Sequence, residues 1–161
     1  MESGLLVEET DDFARVPPLA DVVILSGPSK RTSAFIEELA HLPIKKNVLV
    51  TDPRSTQLEL VQAPEASLAD HAVGCVGTRP MAGSHKSGAS AAHAKLLANT
   101  NDILTPTALT TCDPIEELRE ELSSMQAAIV TLDAAVHDRG NCPISHLPQV
   151  IAASFRERPR D

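Results

Sequence analysis

The chain contains no tryptophan and no tyrosine, and only three phenylalanines among its 161 residues. Large rings supply much of the buried area of most cores, so leucine, isoleucine, valine and alanine must fill this one. The expected stability is marginal. Positive charge is scarce as well: 14 Lys and Arg face 22 Asp and Glu, for a net charge of −8. That argues against a nucleic-acid binder, which needs clustered cations to meet phosphates. The one basic cluster, Arg156, Arg158 and Arg160, is diluted by Glu157 and Asp161 at the tail. Cys75, Cys112 and Cys142 form an odd set without a close pair, which signals neither a disulfide framework nor a thiolate zinc site. His41, His71 and His93 have no partners at ligand spacing, so no metal is expected. No apolar run approaches the ~18 residues of a membrane helix, and no stretch resembles a signal peptide. A soluble cytoplasmic chain with reduced thiols is the expectation.

What is present is an alternation of short apolar runs and amphipathic stretches. Asp21 to Leu25 and Val48 to Val50 read as buried strands, with further strands at Val73–Val76, Asp102–Thr105 and Ala128–Leu132. Between the first two, Ser29 is a candidate N-cap for a helix whose stripe is Thr32, Phe35, Ile36 and Leu39, ended by Pro43. A second helix is expected from about Ser55 to Ala63, and the segment Ser87–Leu97 reads as a loop running into a helix. Asp113-Pro114-Ile115-Glu116 opens another, with an N-cap, a first-turn proline and a capping-box acid; Ile115, Leu118, Leu122 and Met125 line its face. Ala134–Phe155 reads as helix interrupted at Gly140 and Pro143. The alternation predicts an α/β layered sheet with parallel pairing.

Ligands of such sheets bind beyond the carboxyl ends of the strands. The segments expected there are Ser26-Gly27-Pro28, Thr51 to Ser55, and Thr78 to Gly88. The residues Pro80-Met81-Ala82-Gly83-Ser84-His85-Lys86-Ser87-Gly88 closely resemble a motif of the prephenate dehydrogenases. Further marks follow in that family's order: Ala20 to Leu25, Thr51-Asp52 with Ser55-Thr56, Ile103 to Thr107, His137-Asp138, and Ser145-His146-Leu147-Pro148. The resemblance implies a partial Rossmann-type domain over residues 1–132, followed from 133 to 161 by the first helix of an all-α dimerisation domain. It implies oxidative decarboxylation of prephenate to 4-hydroxyphenylpyruvate with NAD or NADP, in a family of homodimers whose dimerisation domain is expected to be largely missing here. Charge and hydropathy predict no nucleic-acid or membrane partner. Ser26, Gly27, Pro28, Thr51 and Asp52 then fall at the cofactor. Ser84, His85, Ser145, His146 and Gln149 fall at the substrate, and Ser55 and Arg79 at the reacting hydroxyl.

The chain also departs from the family pattern. Arg79 stands where the family has a histidine that accepts the proton of the ring hydroxyl. A guanidinium stays protonated and cannot act as that base. Gln149 replaces a histidine, Arg54 a glycine before Ser55, and Asn101-Asp102 an aromatic pair. No G-x-G-x-x-G turn, the pattern that cradles a dinucleotide pyrophosphate, occurs within these residues, and the carboxylate-binding arginine of the helical domain has no match. The expected chain is therefore truncated at both ends relative to the family. It is a dehydrogenase completed by another chain, a ligand-binding module without turnover, or an inert remnant. Locally, Ser55 also suits a helix N-cap, His146 a core or interface position, Thr51-Asp52 a turn, and His137-Asp138 a helix start.

Overall fold

The structure, a computed structural model, describes residues 10–27, 29–53, 56, 67–68, 73–83, 95–108, 110 and 112–156. Five strands form one sheet in the order β1 (Val22–Ile24), β2 (Val48–Asp52), β3 (Val73–Pro80), β4 (Asn101–Pro106) and β5 (Ala128–Thr131). The helices are α1 (Ser29–Ala40), α2 (Cys112–Ser124), α3 (Ala134–Asn141) and α4 (Leu147–Arg156), with a π-helical segment, Cys142–His146, joining the last two. The expected helix from Ser55 to Ala63 and most of Ser87–Leu97 lie outside the described residues. Residues 95–99 form a turn.

Pairing is parallel for β1–β2, β2–β3 and β4–β5, but β3 and β4 are antiparallel, which corrects the expectation of uniform parallel pairing. The reason lies in the connection. The Met81 amide donates to the Asn101 carbonyl at 2.7 Å, so the segment between β3 and β4 leaves and re-enters at one end of the sheet. Strands joined at the same end must run in opposite directions. β4 and β5, by contrast, are joined by a crossover through α2, and they are parallel.

Alternating side chains give the sheet two faces. Val23, Val48, Val50, Val73 and Cys75 pack with Ile36 and Leu39 of α1. The predicted stripe of α1 is confirmed, with Thr32, Ile36 and Leu39 buried and Phe35 packed at the margin. On the other face Leu49, Val76 and Leu104 meet Leu118 and Leu122 of α2. Met125 does not join that stripe: it lies one residue past α2 and is exposed. α2 approaches closely because β3 has a glycine under its start. A Cβ on Gly74 would lie 3.3 Å from Leu49 Cδ1 and 3.5 Å from Pro114 Cβ.

Several boundaries differ from the sequence reading. β2 runs on through Thr51 and Asp52, which are buried and pair with Val76 and Gly77, so they close no turn. β3 continues four residues beyond Val76 to Pro80. The C-terminal helix passes through Gly140 unbroken and widens at Cys142–His146, where Pro143 lies. Proline lacks an amide proton and crowds the preceding turn, and a π turn accommodates that loss without ending the helix.

Candidate active site

Arg79 is the next-to-last residue of β3 and shares the face of Cys75 and Gly77, away from α2. Its guanidinium Nη2 lies 3.5 Å from Ser145 Oγ, a contact between residues 66 positions apart. The helical segment after β5 therefore crosses back over the sheet and brings Ser145 and His146 to the carboxyl end of β3. Both residues are half-buried on the π turn. Arg79 Nε and His146 Nε2 are buried, and neither has a hydrogen-bond partner. Burial lowers the Arg79 pKa from its ordinary value, yet a guanidinium starts so high that it stays charged.

The sequence marks Asp102 as the start of a strand and as a departure from an aromatic pair. In the structure it is 1% exposed. Its Oδ1 accepts the Arg79 amide at 3.1 Å, and Oδ2 is buried without a hydrogen-bond partner. Burial pushes its carboxyl up to about 6, against smaller opposing effects from the Arg79 and Ile103 amides. By alternation with Leu104 its side chain belongs to the α2 face, so it holds the end of β3 from behind rather than facing the guanidinium.

The other expected site residues are distributed as follows. Ser26 and Gly27 are exposed just past the carboxyl end of β1. A Cβ on Gly27 would meet only Phe35, at 3.7 Å, so packing does not demand a glycine there. Thr51 and Asp52 end β2 with their side chains buried, and Thr51 Oγ1 donates to Thr78 Oγ1 at 3.4 Å. Gln149 lies in α4. Pro28, Ser55, Ser84 and His85 fall outside the described residues. His137 and Asp138 do not start α3. Asp133 caps that helix, accepting the Ala135 and Val136 amides, while the buried His137 ring places Nδ1 2.8 Å from Asp138 Oδ1. Clefts of about 540 and 610 Å³ lie elsewhere, the first between Asn47 and Glu117, the second between Phe13 and Arg31. Neither touches Arg79. Among the described residues no group of three or more His, Cys, Asp or Glu could hold a metal, and no helix is long and apolar enough to cross a membrane.

The family model described as "Prephenate dehydrogenase, nucleotide-binding domain" matches residues 1–131. The chain is 36% identical over 155 residues to a prephenate dehydrogenase of Bacillus subtilis (strain 168), covering 96% of this chain and 42% of that protein. It is 35% identical over 136 residues to one of Lactococcus lactis subsp. cremoris, covering 84% of this chain and 36% of that protein. The chain thus spans less than half the length of these curated relatives. Among solved structures, the prephenate dehydrogenase of Aquifex aeolicus superposes with a TM-score of 0.82 at 26% identity, over 92% of this chain and 52% of that one. The same enzyme in complex with hydroxyphenyl propionate and NAD+ gives 0.81. The five-stranded, mostly parallel sheet with its flanking helices is therefore a Rossmann-type arrangement, and the chain belongs to the prephenate dehydrogenase family.

Proposed function

We propose that the chain forms part of a prephenate dehydrogenase-type oxidoreductase that holds prephenate or its 4-hydroxyphenylpyruvate product at the carboxyl end of β3, against the π turn. The observation that carries this reading is the meeting of Arg79, at the position of the family's histidine, with Ser145, in a matched family motif, 66 residues apart. On this reading residues 1–132 belong to the nucleotide-binding domain and residues 133–161 open a helical dimerisation domain. The setting is a cytoplasmic homodimer.

NAD or NADP, when bound, accepts the hydride. The residues of this chain that would meet it are the exposed Ser26 and Gly27 beyond β1, with Pro28 beside them. Thr51 and Asp52 have buried side chains and would act as a floor rather than as direct ligands. Ser145 and His146, with Gln149, Ser84 and His85, would contact the substrate, and Ser55 its hydroxyl. Arg79 favours binding without turnover. Oxidation needs an acceptor for the hydroxyl proton, and a charged guanidinium offers no lone pair for it.

Titration with 4-hydroxyphenylpyruvate, followed by protein NMR, should give saturable shifts at Arg79 and Ser145. Shifts confined to other surfaces would remove the basis of this reading. In a steady-state assay at saturating prephenate and NAD, the unmodified chain should form no measurable NADH. Arg79→His should not restore it. A general base contributes typically ~10²–10⁴-fold, but positioning of the reactants is worth ~7–11 kcal/mol and comes first. These residues carry no glycine-rich turn to hold the pyrophosphate. Clear turnover by the variant would show that other elements hold the cofactor, and turnover by the unmodified chain would show that Arg79 is no obstacle.

A further inference from the structure

Arg79 has fewer partners than a half-buried guanidinium ordinarily requires. Its Nε is buried and makes no hydrogen bond, and its Nη2 makes one long contact to Ser145 Oγ. No ion pair joins the guanidinium to a carboxylate among the described residues. The nearby carboxylate of Asp102 is engaged by the Arg79 and Ile103 backbone amides on the opposite face of the sheet. A desolvated cation without a counter-charge is costly, and removal of its deficit by an anion is correspondingly favourable.

We infer that Arg79 and Ser145 form a carboxylate-binding pair, so that a site which in the family receives a proton here holds a negatively charged group of the ligand. This rests on the proposed placement of the ligand and specifies its chemistry. The geometry favours a carboxylate. Nε–H and one Nη2–H project side by side from one edge of the guanidinium, and two carboxylate oxygens match that edge. Ser145 Oγ, beside Nη2, can add a third donor. His146, next along the π turn, brings a second buried nitrogen with no partner, its imidazole Nε2. One arginine balances a single negative charge, which suits a monocarboxylate better than a phosphate dianion. The ligand class is thus an aromatic or cyclohexadienyl acid seated with a carboxylate on Arg79, an orientation that leaves a ring hydroxyl away from it.

The test uses the full chain labelled with 15N, the Arg79 Nε–H resonance, and three probes: 4-hydroxyphenylpropionate, its neutral amide, and propionate. The acid should bind about tenfold or more tightly than the amide, as expected for charge-assisted hydrogen bonds, and should shift the Nε–H signal. Arg79→Gln should reduce that preference to within about threefold, and Arg79→Lys, which keeps the charge but loses the paired donors, should retain only part of it. The lysine variant decides the matter if the glutamine variant does not fold. Equal binding of acid and amide would mean that Arg79 holds the hydroxyl, overturning the inference, as would an acid preference that survives in both variants. An Nε–H signal that no probe moves would overturn it too. If propionate shifts the signal while neither aromatic probe binds better than propionate, the carboxylate pair stands and the prephenate-type reading falls.

Discussion

Leu104→Ala should destabilise the chain by about 3 kcal/mol or more, within the range measured for large-to-small changes at closed core sites. Leu104 is fully buried on β4, between β3 and the edge strand β5, against Leu118 and Leu122 of α2 and in one cluster with Leu49 and Val76. Removing it takes away the transfer free energy of the side chain and leaves a cavity flanked by strands, which relax less readily than a helix end. The chain has no tryptophan or tyrosine, and Phe13 and Phe35 pack against the α1 cluster on the other face of the sheet, so neither of these rings is placed to swing into the space. For a chain of this size the loss corresponds to a fall in Tm on the order of 10 °C. Thermal unfolding of both proteins, followed by circular dichroism, measures it. Leu118→Ala, at the rim of the same cluster, should cost less. A Leu104→Ala protein with unchanged Tm would mean that the α2 face contributes little to stability.

Marginal stability is expected because the apolar surface is unevenly covered. Val22 and Ile24 are exposed on the outer strand β1, and Ile144, Leu147 and Val150 on the C-terminal helical segment. Burial that would offset the conformational entropy of folding is absent at both places.

The parts of the fold written in periodicity were legible from sequence. The α1 stripe of Thr32, Ile36 and Leu39 and the α2 stripe of Leu118 and Leu122 follow helical spacing, and both face the sheet as expected. Strand ends were harder to read because they are polar. Thr51-Asp52 and Gly77 to Pro80 have the composition of turns, and backbone pairing with neighbouring strands keeps them extended. Strand direction was legible for three of the four pairs, which are parallel as the alternation predicts, but not for β3–β4. An alternation of elements says nothing about whether a connection returns to the same end of the sheet, and the Met81–Asn101 hydrogen bond is a tertiary fact.

The candidate site divides in the same way. The resemblance implied that Arg79 meets the reacting hydroxyl and that Ser145 and His146 meet the substrate; in the structure Ser145 Oγ lies 3.5 Å from Arg79 Nη2, with His146 next along the π turn. Local reasoning failed for His137, read as opening a helix. Asp133 has the better capping geometry, and the imidazole instead turns inward to a buried position beside Asp138. Asp102 was read as opening a strand, and it lies at the start of β4, but nothing in its spacing signals that its carboxyl is buried.

That buried carboxyl leads to the second large effect. Asp102 titrates near 6 in the folded chain and near its ordinary value of 3.8 when unfolded. Between those pH values the unfolded state has already lost a proton that the folded state retains, so stability falls as pH rises and levels off above about 6. The contribution is complete below the unfolded value and gone above the folded one. At 1.36 kcal/mol per pKa unit, discounted for residual solvent screening, the loss is about 2 kcal/mol. Asp102→Asn keeps an oxygen to accept the Arg79 amide and has no charge to desolvate. Its stability relative to the unmodified chain should therefore rise by about 2 kcal/mol between pH 4 and pH 7. Urea unfolding of both proteins at half-unit steps across that interval isolates the effect, since every other titrating group is common to the two. A difference that stays flat would mean that the carboxyl ionises freely in the fold. A variant that loses ground as pH rises would mean that the ionised carboxylate is stabilised there, and that the positive charge of Arg79 reaches it through the sheet.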